Sequence, residues 1–327
     1  PLASEHWEPC PGGRQNHYLV DLNRDWAWAT QIETRTRLSA YRQWEPQVFV
    51  DFHEMSADST YFFPPAADPI SPLIPSTTID WLETFGRSNA AAFDQQGWTY
   101  YVGQRFDLFY PGYGDSYPGL RGAVGMTYEM AGHRRGGTAI ALRDGEILTL
   151  LREFAASRKA AIDAPPTSYL WSAEDHEASS AATLLEAHGI AVEILPEDRR
   201  VSARPHTGTD AAPTSFPAGT YVVSTRQPLG GLVRALLDPE VPMDAEFIDR
   251  QRGRLERNQF TQFYDITAWS LPLAYNLRTW VATGDVRGSA PHMHHDSRVS
   301  GEGELGYLIP PQGLASYRAA SQRLEKG

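Results

Sequence analysis

The chain has 327 residues, 41% of them hydrophobic and 21% charged, which is typical of a globular protein of about two domains and excludes a disordered or fibrous chain. The formal net charge of -11, with no basic cluster, argues against nucleic acid or an anionic membrane as a partner. No apolar run approaches the ~18 residues of a membrane span, and the one cysteine, Cys10, excludes an internal disulfide.

The first half of the chain alternates between predicted strands and helices. Apolar residues recur near one face of a helix over 31–44, and Glu45-Pro46 ends it. A run of β-branched and aromatic residues over 47–52 predicts a strand. The other elements predicted here are a proline-rich loop over 63–75, helices over 78–96 and 144–162, and strands over 98–102 and 123–130.

The second half repeats the alternation after a proline-containing linker at 164–167. A strand over 168–171, a helix over 177–188 and a strand over 190–195 form a βαβ-like unit. The remaining predicted elements are a loop over 198–217, a strand over 220–225, a helix over 229–237, a strand over 305–309 and a helix over 314–324. We therefore expect an α/β fold in two domains, 1–163 and 168–327.

Chemically informative residues lie at or just after the ends of predicted strands in the first domain. One strand delivers His53, another delivers Glu129, and a short apolar run delivers Asn23 and Arg24. Functional groups in α/β sheets gather at the carboxyl ends of strands. An imidazole can bind zinc, a carboxylate can take a proton from a metal-bound water, and an Asn/Arg pair can hold a carboxylate. Together these groups suit metal-assisted hydrolysis of an anionic substrate.

Three ordered segments resemble the zinc carboxypeptidase (metallocarboxypeptidase) family. Residues 13–26, which read Gly-Arg-Gln-Asn-His-Tyr-Leu-Val-Asp-Leu-Asn-Arg-Asp-Trp, are similar to a family signature in which an Arg precedes a Val-Asp-Leu-Asn-Arg-Asn-like run. Val50–His53 matches the family's strand and late zinc-binding histidine. Gly112–Tyr117 matches a glycine-rich segment that precedes the family's general base, here Glu129. The resemblance covers about residues 10–160.

The resemblance implies a zinc-dependent reaction on a peptide with a free C-terminus. His53 would be a zinc ligand, and Glu129 would activate a zinc-bound water and pass its proton to the leaving amine. Arg14 would polarise the scissile carbonyl and stabilise the oxyanion. For His53 the alternative is an ordinary hydrogen-bonded histidine, for Glu129 a solvent-facing carboxylate, and for Arg14 a loop residue without a role.

The same resemblance implies how the substrate is bound. Asn23 and Arg24 would bind the free C-terminal carboxylate, although a helix cap and a surface charge are the alternative for this pair. Tyr110 would be the mobile tyrosine that closes over the substrate. Tyr113 and Tyr117 lie close by in the sequence, so the choice of tyrosine stays open, and packing is the alternative role for Tyr110.

One feature of the family is absent from this sequence. The first two zinc ligands of the family come from an upstream His-x-x-Glu motif, and none of the 10 histidines here has Glu three residues later. One imidazole does not make a three-ligand zinc site. We therefore expect the motif to lie upstream of residue 1 and the chain alone to be inactive. The habit of the family and the acidic composition lead us to expect that the whole enzyme is secreted or periplasmic in a bacterium.

The second domain is expected to be Rossmann-like and incomplete at its C-terminus, similar to α/β domains that follow the peptidase domain in some bacterial carboxypeptidase-like proteins. Some of those domains resemble class I glutamine amidotransferases, but the sequence offers no cysteine nucleophile there, so a scaffolding or substrate-access role is expected. Two alternatives to a metallocarboxypeptidase stay open. One is an amidohydrolase acting on small N-acyl amino acids or cell-wall fragments, and the other is a non-catalytic carboxylate-binding protein.

Overall fold

A computed structural model describes residues 15–55, 60–131, 166–263 and 269–291. The chain forms two compact units. Among the described residues, the first unit holds 15–55, 60–131, 228–263 and 269–270, and the second holds 166–227 and 271–291. The sequence analysis assigned all of 168–327 to one domain, whereas the structure groups the described part of 228–270 with the first unit.

The described elements form a mixed α/β structure with several sheets and flanking helices. In chain order they are α1 (Ile32–Trp44), β1 (Val48–Met55), β2 (Tyr61–Phe62), β3 (Ala67–Ile70), α2 (Ser76–Gln96), β4 (Tyr100–Tyr101), β5 (Asp107–Leu108), α3 (Ser116–Leu120), β6 (Val124–Ala131), β7 (Thr167–Trp171), α4 (Ala178–Ala187), β8 (Glu193–Ile194), β9 (Arg199–Pro205), β10 (Ala212–Phe216), β11 (Tyr221–Ser224), α5 (Gly230–Leu237), α6 (Ala245–Glu256), α7 (Leu271–Ala274), β12 (Thr279–Thr283) and β13 (Ala290–Pro291). The predicted helix over 144–162 and the elements over 305–324 lie outside the described residues.

The first unit is built on a four-stranded mixed sheet in the order β1-β6-β2-β4. β1 is parallel to β6, β2 is antiparallel to β6, and β2 is parallel to β4. β3 and β5 form a separate parallel pair. The strands that sequence patterning predicted over 47–52 and 123–130 are confirmed as β1 and β6. Among the described residues they are the two longest strands of the unit, and they carry His53 and Glu129 of the candidate site.

Helices α1 and α2 of the first unit end where the sequence predicts. α1 buries Leu38 and Tyr41 on one face and ends at Glu45, which adopts the left-handed conformation just before a proline. α2 ends at Gly97, whose φ of 65° is accessible to glycine without strain. α2 also packs directly against the proline-rich loop. The approach is so close that a Cβ at Gly86 would collide with the Pro64 carbonyl.

An aromatic cluster lies under β1 and supports the loop that precedes α1. Trp26 is 1% exposed, and its ring lies 5.3 Å from that of Tyr117 and 5.5 Å from that of Phe49, measured between centroids. Tyr41 of α1 completes the cluster at 6.2 Å from Trp26. Buried aromatic pairs contribute ~0.5–1.5 kcal/mol beyond their burial, so the cluster stabilises the position of Trp26, which lies two residues after Arg24.

The second unit contains a seven-stranded sheet in the order β10-β9-β12-β7-β11-β8-β13. Each pairing in this sheet is antiparallel. Its core packs Leu170 of β7 with Val222 of β11 and Phe216 of β10. On the other face Trp171 stacks on Tyr221. The parallel, doubly wound sheet expected of a Rossmann-like domain is therefore wrong for the described part of this unit, although its coarse α/β class holds.

Sequence patterning also missed strands within the predicted loop over 198–217. β9 and β10 pair antiparallel in this stretch. In β9 the more buried residues Val201 and Ala203 alternate with polar residues that are more exposed. One face of the strand is solvated, and the polar residues on that face led the sequence analysis to predict a loop. Within the described ranges, no helix combines the length and apolar character needed to cross a bilayer.

Candidate active site

His53 and Glu129 lie on adjacent parallel strands. β1 and β6 pair in register, so that His53 is the direct neighbour of Glu129 and Asp51 is the neighbour of Thr127. Side chains alternate between the two faces of a sheet, and neighbours in register share a face. One face of this strand pair therefore carries an imidazole, two carboxylates and a hydroxyl.

The loop before α1 holds Asn23 and Arg24 through local hydrogen bonds. The Asn23 backbone N–H donates to Asp21 Oδ1 at 2.8 Å, which closes an Asx turn. Farther along, the Asp25 side chain is only 3% exposed and accepts hydrogen bonds from two backbone N–H groups just before α1. The loop is thus fixed on both sides of Asn23 and Arg24.

Asn23 bridges the loop, β1 and the glycine-rich segment. Its Oδ1 accepts a hydrogen bond from the Gly114 backbone N–H at 2.6 Å, and its Nδ2 lies 3.3 Å from His53 Nε2. His53 Nε2 also lies 2.8 Å from Asp51 Oδ2. A Cβ at Gly114 would lie 2.5 Å from Asp51 Oδ2, 3.0 Å from Asn23 Oδ1 and 3.1 Å from Trp26 Nε1. Glycine is therefore required at 114 for these side chains to meet.

The Arg24 guanidinium is held in place by three neighbours. Its Nη1 donates to the Asn23 carbonyl at 2.9 Å and lies 3.9 Å from Asp21 Oδ2. Its Cζ lies 4.7 Å from the centroid of the Tyr113 ring, which is a cation–π geometry. The side chain is 20% exposed, so a positioned cation with limited access to water faces the site.

Asn23, Arg24, His53 and Glu129 all line one small cavity. The cavity is also lined by Phe106, Asp107, Tyr113, Asp115 and Thr127. Its volume of about 30 Å³ is room for about one or two waters or the end of a carboxylate, but not for a whole side chain. The structure therefore brings these four predicted residues together at one cavity.

The cavity is rich in acidic groups. Three largely buried acidic side chains line it, those of Asp107, Asp115 and Glu129. Arg24 contributes a guanidinium group to the same lining. Burial raises the pKa of Asp115, although hydrogen bonds from the Thr127 hydroxyl and the Ser116 N–H oppose the rise. A ligand anion is thus expected next to Arg24, and the remainder of the cavity favours water or a cation.

The other two predicted site residues differ in placement. Tyr110 is 2% exposed; its hydroxyl donates to the Arg24 carbonyl at 3.1 Å and accepts from Trp28 Nε1 at 2.8 Å. It therefore supports the Arg24 loop and, among the described residues, is not part of the cavity lining, where Tyr113 stands instead. Arg14 lies outside the described residues.

Sequence reasoning missed Asp51 and Thr127, although a signal for both was present. Each lies two residues before a chosen site residue on a strand, and a spacing of two returns to the same face. For Asp107 no such signal exists. It reaches the cavity because β5 pairs with β3, a long-range pairing between two short strands.

A second cavity of about 210 Å³ adjoins the first one and has a different character. Phe52 and Tyr128 are the register neighbours that alternate with His53 and Glu129, and their rings lie 5.6 Å apart. The rest of the lining is largely aromatic, with Asn89 Nδ2 donating to the Tyr128 hydroxyl at 3.0 Å. This cavity suits an apolar group.

The described residues do not by themselves complete a zinc site. Within the described ranges, no group of three or more His, Cys, Asp and Glu side chains is arranged to hold a metal ion. A catalytic zinc site takes three protein ligands. The cavity offers His53 as an imidazole ligand, but its Nε2 is engaged by Asp51.

No family model, curated protein or solved structure matches the chain. The assignment of the site therefore depends on the residues and their geometry.

Proposed function

We propose that this chain carries the carboxylate-binding site and the general base of a carboxypeptidase-type hydrolase that acts on the C-terminal bond of peptides. One observation carries the proposal. Asn23, Arg24, His53 and Glu129 were chosen for their order along the sequence, and they line one cavity although up to 106 positions separate them. The mixed sheet with flanking helices is in keeping with a zinc-carboxypeptidase-like fold.

In this proposal the substrate is held by its terminal carboxylate. The Arg24 guanidinium is anchored by Tyr113 and the Asn23 carbonyl, so little side-chain entropy is lost when it binds an anion. The Asn23 amide supplies a second donor. Because the cavity is small, the carboxylate enters it while the remainder of the peptide stays outside.

Glu129 then takes a proton from a water beside the carbonyl under attack. It is 9% exposed and lines the same cavity as Arg24, so it lies next to a substrate whose carboxylate occupies that cavity, and we place the attacking water at the mouth of the cavity. The same carboxyl group can return the proton to the leaving amine. Arg14 is proposed, from the family resemblance, to stabilise the oxyanion.

We include zinc in the proposal only for a longer protein that supplies further metal ligands in addition to His53. The described residues do not complete the ligand set, so we derive no step from the metal. The chain alone is accordingly expected to bind carboxylates without hydrolysing peptides.

A second candidate function is carboxylate binding without catalysis. It is favoured by the same incomplete ligand set among the described residues, since Asn23 and Arg24 need no metal to bind an anion. Both candidate functions use the same carboxylate site. They differ in whether the bound peptide is hydrolysed, so an assay for hydrolysis distinguishes them.

The carboxylate site can be tested with matched ligands. Calorimetric titration with an N-acetyl dipeptide and with its C-terminal amide is expected to show binding of the acid and a loss of at least tenfold for the amide. Arg24→Met should weaken binding of the acid by about 10–100-fold, because a charge-assisted hydrogen bond contributes ~1.5–3 kcal/mol. Arg87→Gln, which removes an exposed arginine from α2, is the control.

Equal affinity for acid and amide, or equal effects of Arg24→Met and Arg87→Gln, would refute the carboxylate site. Incubation of the chain with blocked dipeptides and zinc, with and without a chelator, then tests catalysis. Chelator-sensitive hydrolysis by this chain alone would contradict the requirement for further ligands.

A further inference from the structure

Two side chains approach the same nitrogen of His53, one as a hydrogen-bond acceptor and the other as a donor. The Asp51 carboxylate lies 2.8 Å from His53 Nε2 and accepts hydrogen bonds when ionised. Asn23 Nδ2 lies 3.3 Å from the same atom and only donates. An imidazole nitrogen either carries a proton or offers a lone pair, so one of these two contacts excludes the other as a hydrogen bond.

The geometry decides the competition in favour of the carboxylate. The contact to Asp51 is the shorter one and is charge-assisted, which makes it the stronger hydrogen bond. Asn23 cannot rotate its amide to offer oxygen instead, because its Oδ1 already accepts from the Gly114 N–H at 2.6 Å. His53 Nε2 therefore carries the proton and donates it to Asp51.

Asp51 is itself held in place. A Cβ at Gly114 would lie 2.5 Å from its Oδ2, so the glycine backbone closes one side of the carboxylate. Electrostatic attraction links Asp51 to Arg37, whose guanidinium lies over the Trp26 ring at 3.8 Å. These neighbours hold the Asp51 carboxylate on the side of β1 that faces His53.

We infer that Asp51 is a positioning residue that sets the tautomer of His53. With the proton on Nε2, the lone pair of the neutral ring lies on Nδ1, and Asn23 Nδ2, which does not bond Nε2, can donate to a ligand oxygen. Carboxylates that orient metal-binding or catalytic imidazoles act in this way. The assignment of the tautomer stands on contacts alone, whereas its effect on ligand binding rests on the proposed function.

The tautomer is measured by nitrogen NMR of the whole chain labelled with ¹⁵N-histidine. His53→Gln identifies the His53 signals by their loss. At a pH of about 8.5, above the ordinary imidazole pKa of ~6.5, wild type is expected to show the Nε2–H tautomer. Asp51→Ala should reverse it, because Asn23 Nδ2 then donates to Nε2 and the proton moves to Nδ1.

Two further variants separate positioning from a general structural effect. Asp51→Asn keeps an acceptor oxygen and is expected to retain the Nε2–H tautomer, whereas Asn23→Ala should leave the tautomer of wild type unchanged. Asp80→Ala, at an exposed position on α2, is the control. An Nδ1–H or doubly protonated ring in wild type, or an unchanged tautomer in a folded Asp51→Ala variant, would overturn the inference.

Carboxylate titration of the same variants tests the part that rests on the proposed function. Asp51→Ala removes a negative charge, which alone would strengthen anion binding, yet it is expected to weaken binding because Asn23 turns to His53. Tighter binding in this variant would contradict the positioning role. A wild type that binds no carboxylate, but shows the Nε2–H tautomer, would refute the proposed function and leave the tautomer assignment intact.

Discussion

Gly114→Ala is a small change at the point where the site residues meet. The new Cβ would lie 2.5 Å from Asp51 Oδ2, 3.0 Å from Asn23 Oδ1 and 3.1 Å from Trp26 Nε1. Crowding of this kind costs ~1–3 kcal/mol, and displacing Asp51 from His53 loses a charge-assisted hydrogen bond of ~1.5–3 kcal/mol. Because the two costs are partly alternatives, we expect a loss of about 2–4 kcal/mol in the free energy of unfolding.

Urea unfolding of Gly114→Ala beside Gly253→Ala measures this cost. A Cβ at Gly253 in α6 meets only the flexible guanidinium of Arg257, at 3.2 Å, so the control is expected to be neutral or up to ~1 kcal/mol more stable. Gly114→Ala should also weaken carboxylate binding, since Asn23 is anchored by the Gly114 N–H. A Gly114→Ala variant within ~0.5 kcal/mol of wild type, with unchanged carboxylate affinity, would refute the packing argument.

Three other variants test the roles of cavity and loop residues. Glu129→Gln removes a negative charge from the cavity, so calorimetry should show carboxylate affinity equal to or higher than that of wild type, and a clear fall would count against the assignment. Tyr110→Phe loses the hydroxyl between Trp28 and the Arg24 carbonyl, so urea unfolding should show a loss of ~1–3 kcal/mol; an unchanged stability would contradict its supporting role. Burial raises the pKa of Asp115 above its ordinary 3.8, so wild type should lose stability relative to Asp115→Asn as pH rises from 3.8 through the folded-state pKa, and a constant difference between pH 4 and 7 would contradict this.

The parts of the site that were predictable follow from local patterns. His53 and Glu129 stand at the ends of apolar runs, and Asn23-Arg24 forms a short motif, so their chemistry is visible in the sequence. The convergence of His53 and Glu129 needs only that β1 and β6 be neighbouring parallel strands, which is a common arrangement in α/β sheets. Asn23 joins them through long-range contacts with Gly114 and His53, which no local pattern predicts.

The parts that were missed depend on interactions between distant segments. Asp107 joins the cavity through the pairing of two short strands, and no local pattern predicts that pairing. Tyr110 and Tyr113 share one loop, and packing around Trp28 and Arg24 decides which ring reaches the cavity.

The second unit shows the same limit at the level of the sheet. Strand, helix, strand in sequence predicts a βαβ unit, but β11 inserts between β7 and β8 and pairs antiparallel with both. Strand order is set by which apolar faces meet in the core, here Leu170 of β7 and Val222 of β11, and not by order along the chain.

The central claim is that Asn23, Arg24, His53 and Glu129 form one carboxylate site. A crystal structure of the chain grown with an N-acetyl dipeptide tests it most directly. We predict carboxylate oxygens within hydrogen-bonding distance of the Arg24 guanidinium and Asn23 Nδ2, with His53 and Glu129 facing the same cavity. A dipeptide bound only in the aromatic cavity next to Phe52 and Tyr128, or these four side chains in separate regions, would contradict the claim.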